Sequence, residues 1–391
     1  MHILVIPTMY PDNYNPVGEV FFRDQAEALA HHGHKVGVIA IVPVTIKWIL
    51  KKKMLRFGLE TFKRNCVTTF LFSFPVLPKT ERIKQLLRKW IGLALYKRYV
   101  KSHGRPDIQH VHTFIAGGLA IEIEKRYGVP FVITEHSSGF EARMYSRFQM
   151  ALAAKVFHKS RANIAVSRYF SESLSTLFSV SFIYIPNVVD TDFFNLSSGN
   201  NSDRKIRLLS IGNLIPWKQF DLLLNAFKIV CDRHFDASLV IGGDGPERGN
   251  LEKLAVELGI GQKVRFAGRL DRDQVRKEMQ NCDIFVLTSK FETFGVVLIE
   301  AMACGKPVVS TRSCGPESII TDPAYGEFVD GNAESVAAGL IKVISRIESY
   351  DKNIIRLNAV NNFSRRAVTA RLSEVYSEVC SRVALPSQPS S

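Results

Sequence analysis

The stretch SKFETFGVVLIEAMACGKPVVS, residues 289–310, joins two glutamates, a glycine, a helical pattern and a run of valines. It follows the apolar run DIFVLTS, which predicts a strand, and it predicts a helix over Phe294–Cys304 that ends at a glycine and a proline. Glu292 then lies in the loop before the helix, and Glu300 lies roughly two turns inside it. At ~1.5 Å of rise per helical residue, their backbones are about 10 Å apart or more. A glycosidase pair, whose carboxyl groups stand ~5–9.5 Å apart, is therefore disfavoured.

This segment supplies a helix N-terminus with the free backbone amides of Phe294, Gly295 and Val296. Such an end attracts a phosphate group. Carboxylates are poor phosphate ligands, but they accept hydrogen bonds from sugar hydroxyls. A phosphate centre with a hydroxyl-rich group at each end describes a nucleotide diphospho-sugar. The residues alone leave a second interpretation open, a helix cap followed by a solvated glutamate.

The chain of 391 residues is long enough for two domains, and its pattern repeats accordingly. Short β-branched runs alternate with amphipathic helical patterns, which is typical of parallel sheets covered by helices. The polar stretch TDFFNLSSGNNSDRK, residues 191–205, separates two such series and is the best linker candidate. We predict two doubly wound α/β domains over residues 1–189 and 190–362, followed by a terminal helix and frayed tail over 363–391. Ligands of open α/β sheets bind beyond the carboxyl ends of the strands, so the site is expected in the cleft between the domains.

The composition is that of a globular protein, with 46% apolar and 23% charged residues. Six cysteines are scattered without a C-x-x-C pair or zinc spacing, which indicates free thiols in a reducing cytoplasm. No apolar run approaches the roughly 20 residues that span a bilayer, and the N-terminal run is too short for a secretory signal. We expect a cytoplasmic protein that can attach to the cytoplasmic face of the inner membrane.

The stretch from residue 292 onward resembles the E-x7-E signature of family 4 glycosyltransferases, E-G-F-G-x-x-x-x-E-A-M-A-x-G-x-P-V-V. The resemblance extends along nearly the whole chain. LLSIGNLIPWKQFDLLLNAF, VIGGDGPERGNLEKLA and VRFAGRL resemble parts of the family's second domain, and YIPNVVDTDFF resembles its interdomain segment. PDIQHVH and VITEH resemble two strands of its first domain. The family implies the GT-B fold, in which two Rossmann-like domains face each other across a cleft and the C-terminal helix returns to the first domain.

The resemblance also implies roles for individual residues of the second domain. Glu292 would hold hydroxyls of the donor sugar, and Glu300 would hold the ribose diol. Lys218, in PWKQF, would neutralise the leaving phosphate. Arg269 would lie near the base, mainly through its backbone. The donor diphosphate would face Phe294, Gly295 and Val296.

In the first domain the resemblance implies two further contacts. His136, in TEH, matches a histidine at a strand end near the reacting sugar. The N-terminal loop usually carries Gly-Gly and here reads Pro16-Val17-Gly18-Glu19, so Gly18 is expected to bring its backbone close to the donor. A second departure is Asn213, which takes the donor-binding place of the family's usual arginine. One of two expected phosphate cations is therefore missing, and Arg312 is one candidate substitute.

Asp190-Thr191-Asp192 is a D-x-D triplet, which in the other major glycosyltransferase fold chelates a divalent metal. It lies in the predicted interdomain turn, and such a triplet arises by chance about once in a chain of this length. We therefore expect no metal site and no cofactor besides the donor substrate.

The basic residues are concentrated in one region of the first domain. Thr45–Arg105 carries sixteen Lys or Arg against two Glu, so the remainder of a chain with net charge +14 is close to neutral. Three lysines at 51–53 beside Trp48 and Leu50 favour contact between Lys47–Arg105 and an anionic membrane surface. Most of a helical apolar stripe between Ile83 and Leu95 is predicted to pack on the sheet.

The combined interpretation is a retaining, metal-independent hexosyltransferase that uses a UDP-, GDP- or ADP-sugar. Its acceptor would be a saccharide or a lipid-linked acceptor of cell-envelope, lipopolysaccharide or exopolysaccharide biosynthesis. The donor would lie against the second domain and the acceptor against the first. A sugar-nucleotide epimerase or a phosphorylase stays open as a GT-B alternative. A nucleic-acid-binding module would use the basic region, but no RNA or DNA motif accompanies that region, so no nucleic acid partner is expected.

Overall fold

The computed structural model describes residues 1–11, 20–46, 49–50, 57–77, 80–197 and 205–384, and they form two compact units. The first unit comprises Met1–Val166, Ser171–Val188 and the described part of Val368–Ser391, and the second comprises Ser167–Phe170 and Val189–Ala367. Besides the short excursion at 167–170, the chain changes unit at 188/189 and 367/368, whereas the predicted boundaries stand at 189/190 and 362/363. Within the predicted linker, Phe194 is fully buried, so that part is packed rather than open. Residues 198–204 of the linker lie outside the described residues, as do the tryptophan at 48 and the three lysines at 51–53.

The first unit contains an eight-stranded sheet in the order β3-β4-β2-β1-β5-β6-β7-β8. Its strands are parallel except β3, which pairs antiparallel with β4. All residues of β1, β5 and β6 are buried, as expected for parallel strands covered on both faces. β3 is an edge strand of half-buried and exposed residues, and it lacks the β-branched run by which the sequence predicts a strand. The strands are β1 His2–Pro7, β2 Lys35–Thr45, β3 Gly58–Arg64, β4 Val67–Val76, β5 Ile108–His112, β6 Phe131–Glu135, β7 Asn163–Ala165 and β8 Phe182–Tyr184.

The second unit contains a six-stranded, fully parallel sheet in the order β11-β10-β9-β12-β13-β14. The order reverses at β9, which lies between β10 and β12, as in doubly wound folds. The strands are β9 Ile206–Ile211, β10 Ala237–Gly242, β11 Val264–Gly268, β12 Ile284–Leu287, β13 Val308–Thr311 and β14 Gly326–Val329.

Helices connect most of the parallel strands, as right-handed βαβ units require. The described helices are α1 Val20–His31, α2 Glu81–His103, α3 Phe114–Tyr127, α4 Arg147–Lys159, α5 Arg168–Phe178, α6 Phe220–Asp232, α7 Arg248–Glu257, α8 Arg272–Asn281, α9 Val296–Ala303, α10 Ala333–Ser345, α11 Lys352–Phe363 and α12 Arg365–Ala384.

The last helix, α12, packs into the core of the first unit, as the GT-B resemblance predicted. Val368, Leu372, Tyr376 and Val379 recur at helical spacing and join the apolar cluster around β1 and β2. The Tyr376 hydroxyl also hydrogen-bonds to Nδ1 of His110 on β5 at 2.6 Å. One long terminal helix therefore completes a core whose other members come from the first third of the chain.

The apolar stripe of α2 does not pack on the sheet as predicted. Ile83, Leu86, Leu87 and Trp90 are exposed, whereas Leu95 is buried. The buried side of the helix is instead set by Gly92, where a Cβ would overlap Leu119 and approach Ile41 Cδ1 to 2.8 Å. The remaining buried residues are Leu93, Tyr96 and Tyr99. An apolar periodicity thus marked the solvent-facing side of this helix.

Candidate active site

The loop between β12 and α9 ends in a left-handed residue. Gly295 has φ 99° and occupies the N-cap, so α9 begins at Val296 and not at Phe294 as predicted. The Phe294 side chain is buried, with its ring edge-on to Phe363 at a centroid distance of 5.9 Å. The packing of Phe294 thus fixes where the helix starts. The next residue is a glycine because a residue with a Cβ would be strained at the φ of Gly295.

The N-terminus of α9 presents backbone donors. Among the residues that the structure describes, none accepts a hydrogen bond from the amides of Gly295, Val296 or Val297, while Leu298 N donates to Gly295 O at 2.9 Å. The first amides of a helix have no intrahelical partner, and its dipole places partial positive charge there. This end of α9 can therefore bind an anion, and we call the amides of Gly295, Val296 and Val297 the anion seat.

The loop that contains Cys314 and Gly315 packs against the loop before α9. Cys314 has φ 84°, and the next residue, Gly315, lies against Phe294 so closely that a Cβ would overlap its backbone nitrogen. The Glu292 amide donates to Ser313 O at 3.0 Å, which joins the two loops at a second point. The backbone around the seat is therefore held by packing and hydrogen bonds.

Lys218 and Glu292 form an ion pair next to this seat, between Nζ and Oε2. Only 20% of the lysine side chain and 16% of the glutamate side chain are exposed, so the pair is partly shielded from water. Lys218 ends a 3₁₀ turn, Pro216–Lys218, and Gln219 follows with φ 50°. The Thr288 hydroxyl donates to Gln219 O at 3.0 Å, which ties this turn to the end of β12. Two segments 74 residues apart thus bring the two predicted catalytic side chains together.

Asn213 and Arg269 lie at the carboxyl ends of β9 and β11, and both are exposed. The loops there pack closely: Leu214 N donates to Asp244 O at 3.1 Å, and Gly243 N donates to Gly268 O at 2.7 Å. All of these loops leave the same edge of the second sheet as the loop before α9. Glu300 lies in the second turn of α9 and is partly exposed. Gly18 lies outside the described residues.

His136 belongs to the first unit and follows β6 directly. Its Nε2 stands 3.0 Å from Nδ1 of His112, and the side chain of Asn187 also hydrogen-bonds to it. Its ring contacts Phe21 and Phe22 at centroid distances of 5.1 Å each. Burial lowers the pKa of His136 to about 3, so the imidazole is neutral near pH 7. A neutral imidazole can donate at one nitrogen and accept at the other.

Two further histidines continue this buried group. Burial lowers the pKa of His110 to about 3, and burial followed by the neighbouring histidines lowers the pKa of His112 well below its ordinary value. His110 bonds to Thr134 at 2.8 Å on one side and to Tyr376 on the other. The sequence predicted only His136 of this group, because the contacts of the others come from distant segments.

Glu135 is a buried carboxylate that the sequence analysis missed. It accepts hydrogen bonds from the amides of Phe114 at 2.9 Å and of His136 and Ser137 at 3.0 Å each. Burial raises its pKa to about 7 against the opposing effect of those three bonds. Its position at a strand end, followed by a polar loop, was the available signal. Glu135 thus holds the start of α3 and the loop that carries His136.

The D-x-D aspartate Asp190 is committed to ion pairs. Arg365 donates to Oδ2 of Asp190 at 2.6 Å, and Arg272 lies 3.6 Å from the same oxygen. Over the described ranges, no group of three or more His, Cys, Asp or Glu could hold a metal ion. No helix in the described part of the chain is long and apolar enough to cross a membrane.

Comparisons with known proteins agree with this architecture. Residues 18–193 match the model of Glycosyltransferase Family 4, and residues 192–356 match that of Glycosyl transferases group 1. An uncharacterized glycosyltransferase of Methanocaldococcus jannaschii is 27% identical over 366 residues, covering 88% of this chain and 89% of that protein. One subunit of human phosphatidylinositol N-acetylglucosaminyltransferase is 27% identical over 384 residues, covering 92% of this chain and 73% of that protein.

Two solved structures superpose on nearly the whole chain. Sucrose-phosphate synthase from Thermosynechococcus elongatus has a TM-score of 0.79 at 17% identity, covering 97% of this chain and 99% of that one. Anabaena HepE in complex with UDP has a TM-score of 0.72 at 17% identity, covering 97% and 100%. The two-sheet architecture is therefore the GT-B fold.

Together the two family models span both units of this chain. The protein belongs to the family 4 glycosyltransferases, and its activity is that of a glycosyltransferase.

Proposed function

We propose that the protein is a retaining hexosyltransferase that transfers a sugar from a nucleotide diphospho-sugar to a saccharide or a lipid-linked acceptor. The observation that carries the proposal is the N-terminus of α9, whose amides from Gly295 to Val297 find no acceptor among the described residues. The Lys218–Glu292 pair beside it adds a cation and a carboxylate. These groups match the diphosphate and the hydroxyls of such a donor.

The ion pair suggests how the donor enters this site. Without a ligand, Lys218 and Glu292 satisfy each other's charge in a partly buried place. A bound diphosphate offers Lys218 a second anionic partner, so its flexible side chain can turn toward the leaving oxygen. Glu292 is then released to accept hydrogen bonds from the donor sugar hydroxyls. Donor binding thus replaces the lysine–carboxylate pair with a lysine–phosphate pair, and sugar hydroxyls hydrogen-bond to the freed carboxylate.

The transfer step is a front-side displacement. The bond between the anomeric carbon and the diphosphate oxygen breaks, and its electron pair stays on that oxygen. The acceptor hydroxyl oxygen forms the new bond to the anomeric carbon on the same face, and its proton passes to the departing diphosphate. Lys218 and the α9 amides stabilise the negative charge that develops there. No metal ion is assigned, because Lys218 and the α9 amides supply the positive charge. No nucleophilic side chain is assigned, because a front-side displacement forms no covalent intermediate with the protein.

The remaining contacts position the two ends of the donor. Glu300 would accept hydrogen bonds from the ribose diol, and Arg269 would lie beside the base with Asn213 near the diphosphate. His136, neutral near pH 7, would bond to a hydroxyl of the reacting sugar through its imidazole. The base is a choice among uracil, guanine and adenine. HepE was solved with UDP and UDP-glucose, and a starch synthase of similar fold was solved with ADP.

The exposed α2 face supports attachment to an anionic bilayer, and we define it by its outward residues. Its N-terminal half exposes Trp90 by 70% and Leu86 by 57%, together with Ile83, Leu87 and the cation Arg82. Its C-terminal half is basic, with Lys97, Arg98 and Lys101 exposed. An apolar end followed by a cationic end suits insertion into a leaflet whose head groups are anionic. A lipid-linked acceptor of envelope, lipopolysaccharide or exopolysaccharide assembly would be presented on that leaflet.

A thermal-shift panel of UDP-, GDP- and ADP-sugars tests the donor. A donor at ~100 times its dissociation constant is expected to add roughly 2.7 kcal/mol of stability. The anomeric configuration of the product then separates a retaining transferase from its alternatives, since an epimerase needs no acceptor and a phosphorylase needs free phosphate. A panel in which no nucleotide sugar raises the melting temperature would refute the proposal.

Vesicle sedimentation tests the membrane attachment. Binding to anionic vesicles at low salt is expected to fall at least several-fold in Trp90→Ser, because interfacial tryptophan anchors a helix. Leu357→Ser removes an exposed apolar side chain from the second unit and serves as the control. Equal sedimentation with neutral and anionic vesicles would contradict the attachment.

A further inference from the structure

Arg88 lies on the inward side of α2, away from the exposed α2 face. It precedes Gly92 and Leu95 by one and two helical turns, and both of those residues are buried against the core of the first unit. Lys84 and Gln85 precede it by one turn on the same side. The arginine therefore points from a packed helix surface toward the body of the unit.

The guanidinium of Arg88 has no hydrogen-bond or ion-pair partner among the described residues, and its Nε is buried. Two other shielded arginines are paired: Arg356 donates to three backbone carbonyls, and Arg23 lies 3.3 Å from Asp24. Glu81 is near enough to raise the pKa of Arg88, but its carboxylate already pairs with Lys84 at 2.6 Å.

Burial is the main influence on this group, and it lowers the pKa of Arg88 to about 10. The guanidinium therefore remains protonated near pH 7. A charge shielded from water without a counter-charge among the described residues lowers the stability of the fold. Such an arrangement is expected where an anion from outside the chain completes the pair.

The position of Arg88 along α2 indicates where that anion would come from. The neighbouring Gln85 donates from Nε2 to Ile115 O at 3.0 Å. Ile115 is the second residue of α3, which starts two residues after the end of β5. This part of α2 thus lies beside the carboxyl edge of the first sheet, where ligands of doubly wound folds bind.

We propose that Arg88 binds a phosphate group of the acceptor at the carboxyl edge of the first sheet. The inference rests on the proposed function, because it assigns the acceptor's chemistry to that glycosyltransferase site. A guanidinium fork matches two oxygens of one phosphate, which an ammonium group does not. The outward residues Leu86, Leu87 and Trp90 flank Arg88 in sequence, so one helix offers an apolar face to lipid and a cation to its phosphate.

Thermal unfolding with inorganic phosphate tests this assignment. Arg88→Met is expected to melt at the same or a higher temperature than the wild type without phosphate, because it removes a shielded charge that has no counter-charge among the described residues. Phosphate, added at constant ionic strength, is expected to stabilise the wild type more than Arg88→Met. Arg147→Met removes an exposed cation from α4 of the same unit and is expected to keep the wild-type response.

The same series is repeated with saturating nucleotide diphosphate, which occupies the anion seat of the second unit. With the nucleotide diphosphate bound, phosphate is still expected to stabilise the wild type more than Arg88→Met. A nucleotide diphosphate that stabilises nothing would count against the proposed function alone, because the difference between the two variants does not depend on it.

Phosphatidylcholine vesicles with and without phosphatidic acid distinguish a lipid phosphate from a free one. Weaker binding of Arg88→Met to the acidic vesicles, with Arg88→Lys intermediate, assigns the phosphate to a lipid. A lost response to inorganic phosphate alone assigns it to a soluble acceptor. If Arg88→Met melts lower than Arg147→Met and matches the wild type in both phosphate responses, Arg88 is structural and the inference is overturned.

Discussion

The carboxyl edges of the two sheets have similar topology but present different chemical groups. At the edge of the second sheet, backbone amides at α9 and the Lys218–Glu292 pair offer charge and hydrogen bonds. At the edge of the first sheet, His112 is buried, His136 is half-buried and both are neutral near pH 7, and Arg88 is a shielded cation without a partner in the described chain. A site for a fixed anionic centre can be built from backbone, whereas a site for a variable acceptor has to be built from side chains.

The largest effect is expected at the ion pair of the second edge. Lys218→Ala and Glu292→Ala should each lower kcat by about 10²-fold or more, because each removes a group aimed at charge or hydroxyls in the transition state. Steady-state kinetics with the donor identified by thermal shift measures this, and circular dichroism checks the fold. Lys228→Ala breaks an exposed ion pair with Asp232 on α6 and should leave kcat unchanged. Near-normal turnover in both site variants would remove the assignment.

The second prediction concerns the backbone of the same edge. Gly315→Ala should raise the donor KM by about tenfold, because its Cβ overlaps the backbone nitrogen of Phe294 and must displace the loop before α9. Gly249→Ala adds a methyl group where nothing lies within 4 Å and should leave KM unchanged. An unchanged KM in Gly315→Ala would mean that this loop does not shape the anion seat.

The third prediction is that the unfolding free energy depends on pH through the histidines at the edge of the first sheet. The folded pKa values of His110, His112 and His136 lie below the unfolded value of about 6.5, so the stability that depends on their neutral forms is complete above that pH and falls as the pH drops below it. Glu135, whose pKa is raised to about 7, acts with the opposite sign but is one group against three.

The unfolding free energy should therefore fall by about 1.4 kcal/mol per pH unit for each uncompensated histidine below pH 6.5. Urea unfolding followed by circular dichroism at pH 7.5 and pH 5 measures this slope. His110→Asn should flatten the slope, and His158→Gln, at an exposed position, should not. A slope unaffected by His110→Asn would contradict the burial of neutral imidazoles at this edge.

The smallest effect is expected from restoring a cation to the second edge. Asn213→Arg should lower the donor KM about threefold to tenfold, because an exposed charge near a diphosphate is screened by water and salt. The benefit should shrink as the salt concentration rises. Asn250→Arg places the same charge on α7 and serves as the control; an equal gain there would indicate general attraction of the donor to a more basic protein.

The sequence predicted more of the site at the second edge than of the histidine group at the first edge, and the reason is physical. The anion seat of the second edge is local, since residues 287–300 contain a strand end, a left-handed glycine and a helix start, whereas Lys218 reaches it from 74 residues away. The histidine group is not local, since Tyr376 meets His110 across 266 residues. Periodicity on α2 indicated an amphipathic helix but not which side faces the sheet, because that depended on the fit of Gly92 against Leu119.

The account's central claim is that the diphosphate of the donor rests on the N-terminus of α9 beside Lys218. A crystal structure with the nucleotide sugar selected by thermal shift tests this most directly. We predict diphosphate oxygens within ~3.2 Å of the amides of Gly295, Val296 or Val297, with Lys218 moved from Glu292 to the phosphate. A donor bound elsewhere, with those amides still facing solvent and the ion pair unbroken, would contradict the claim.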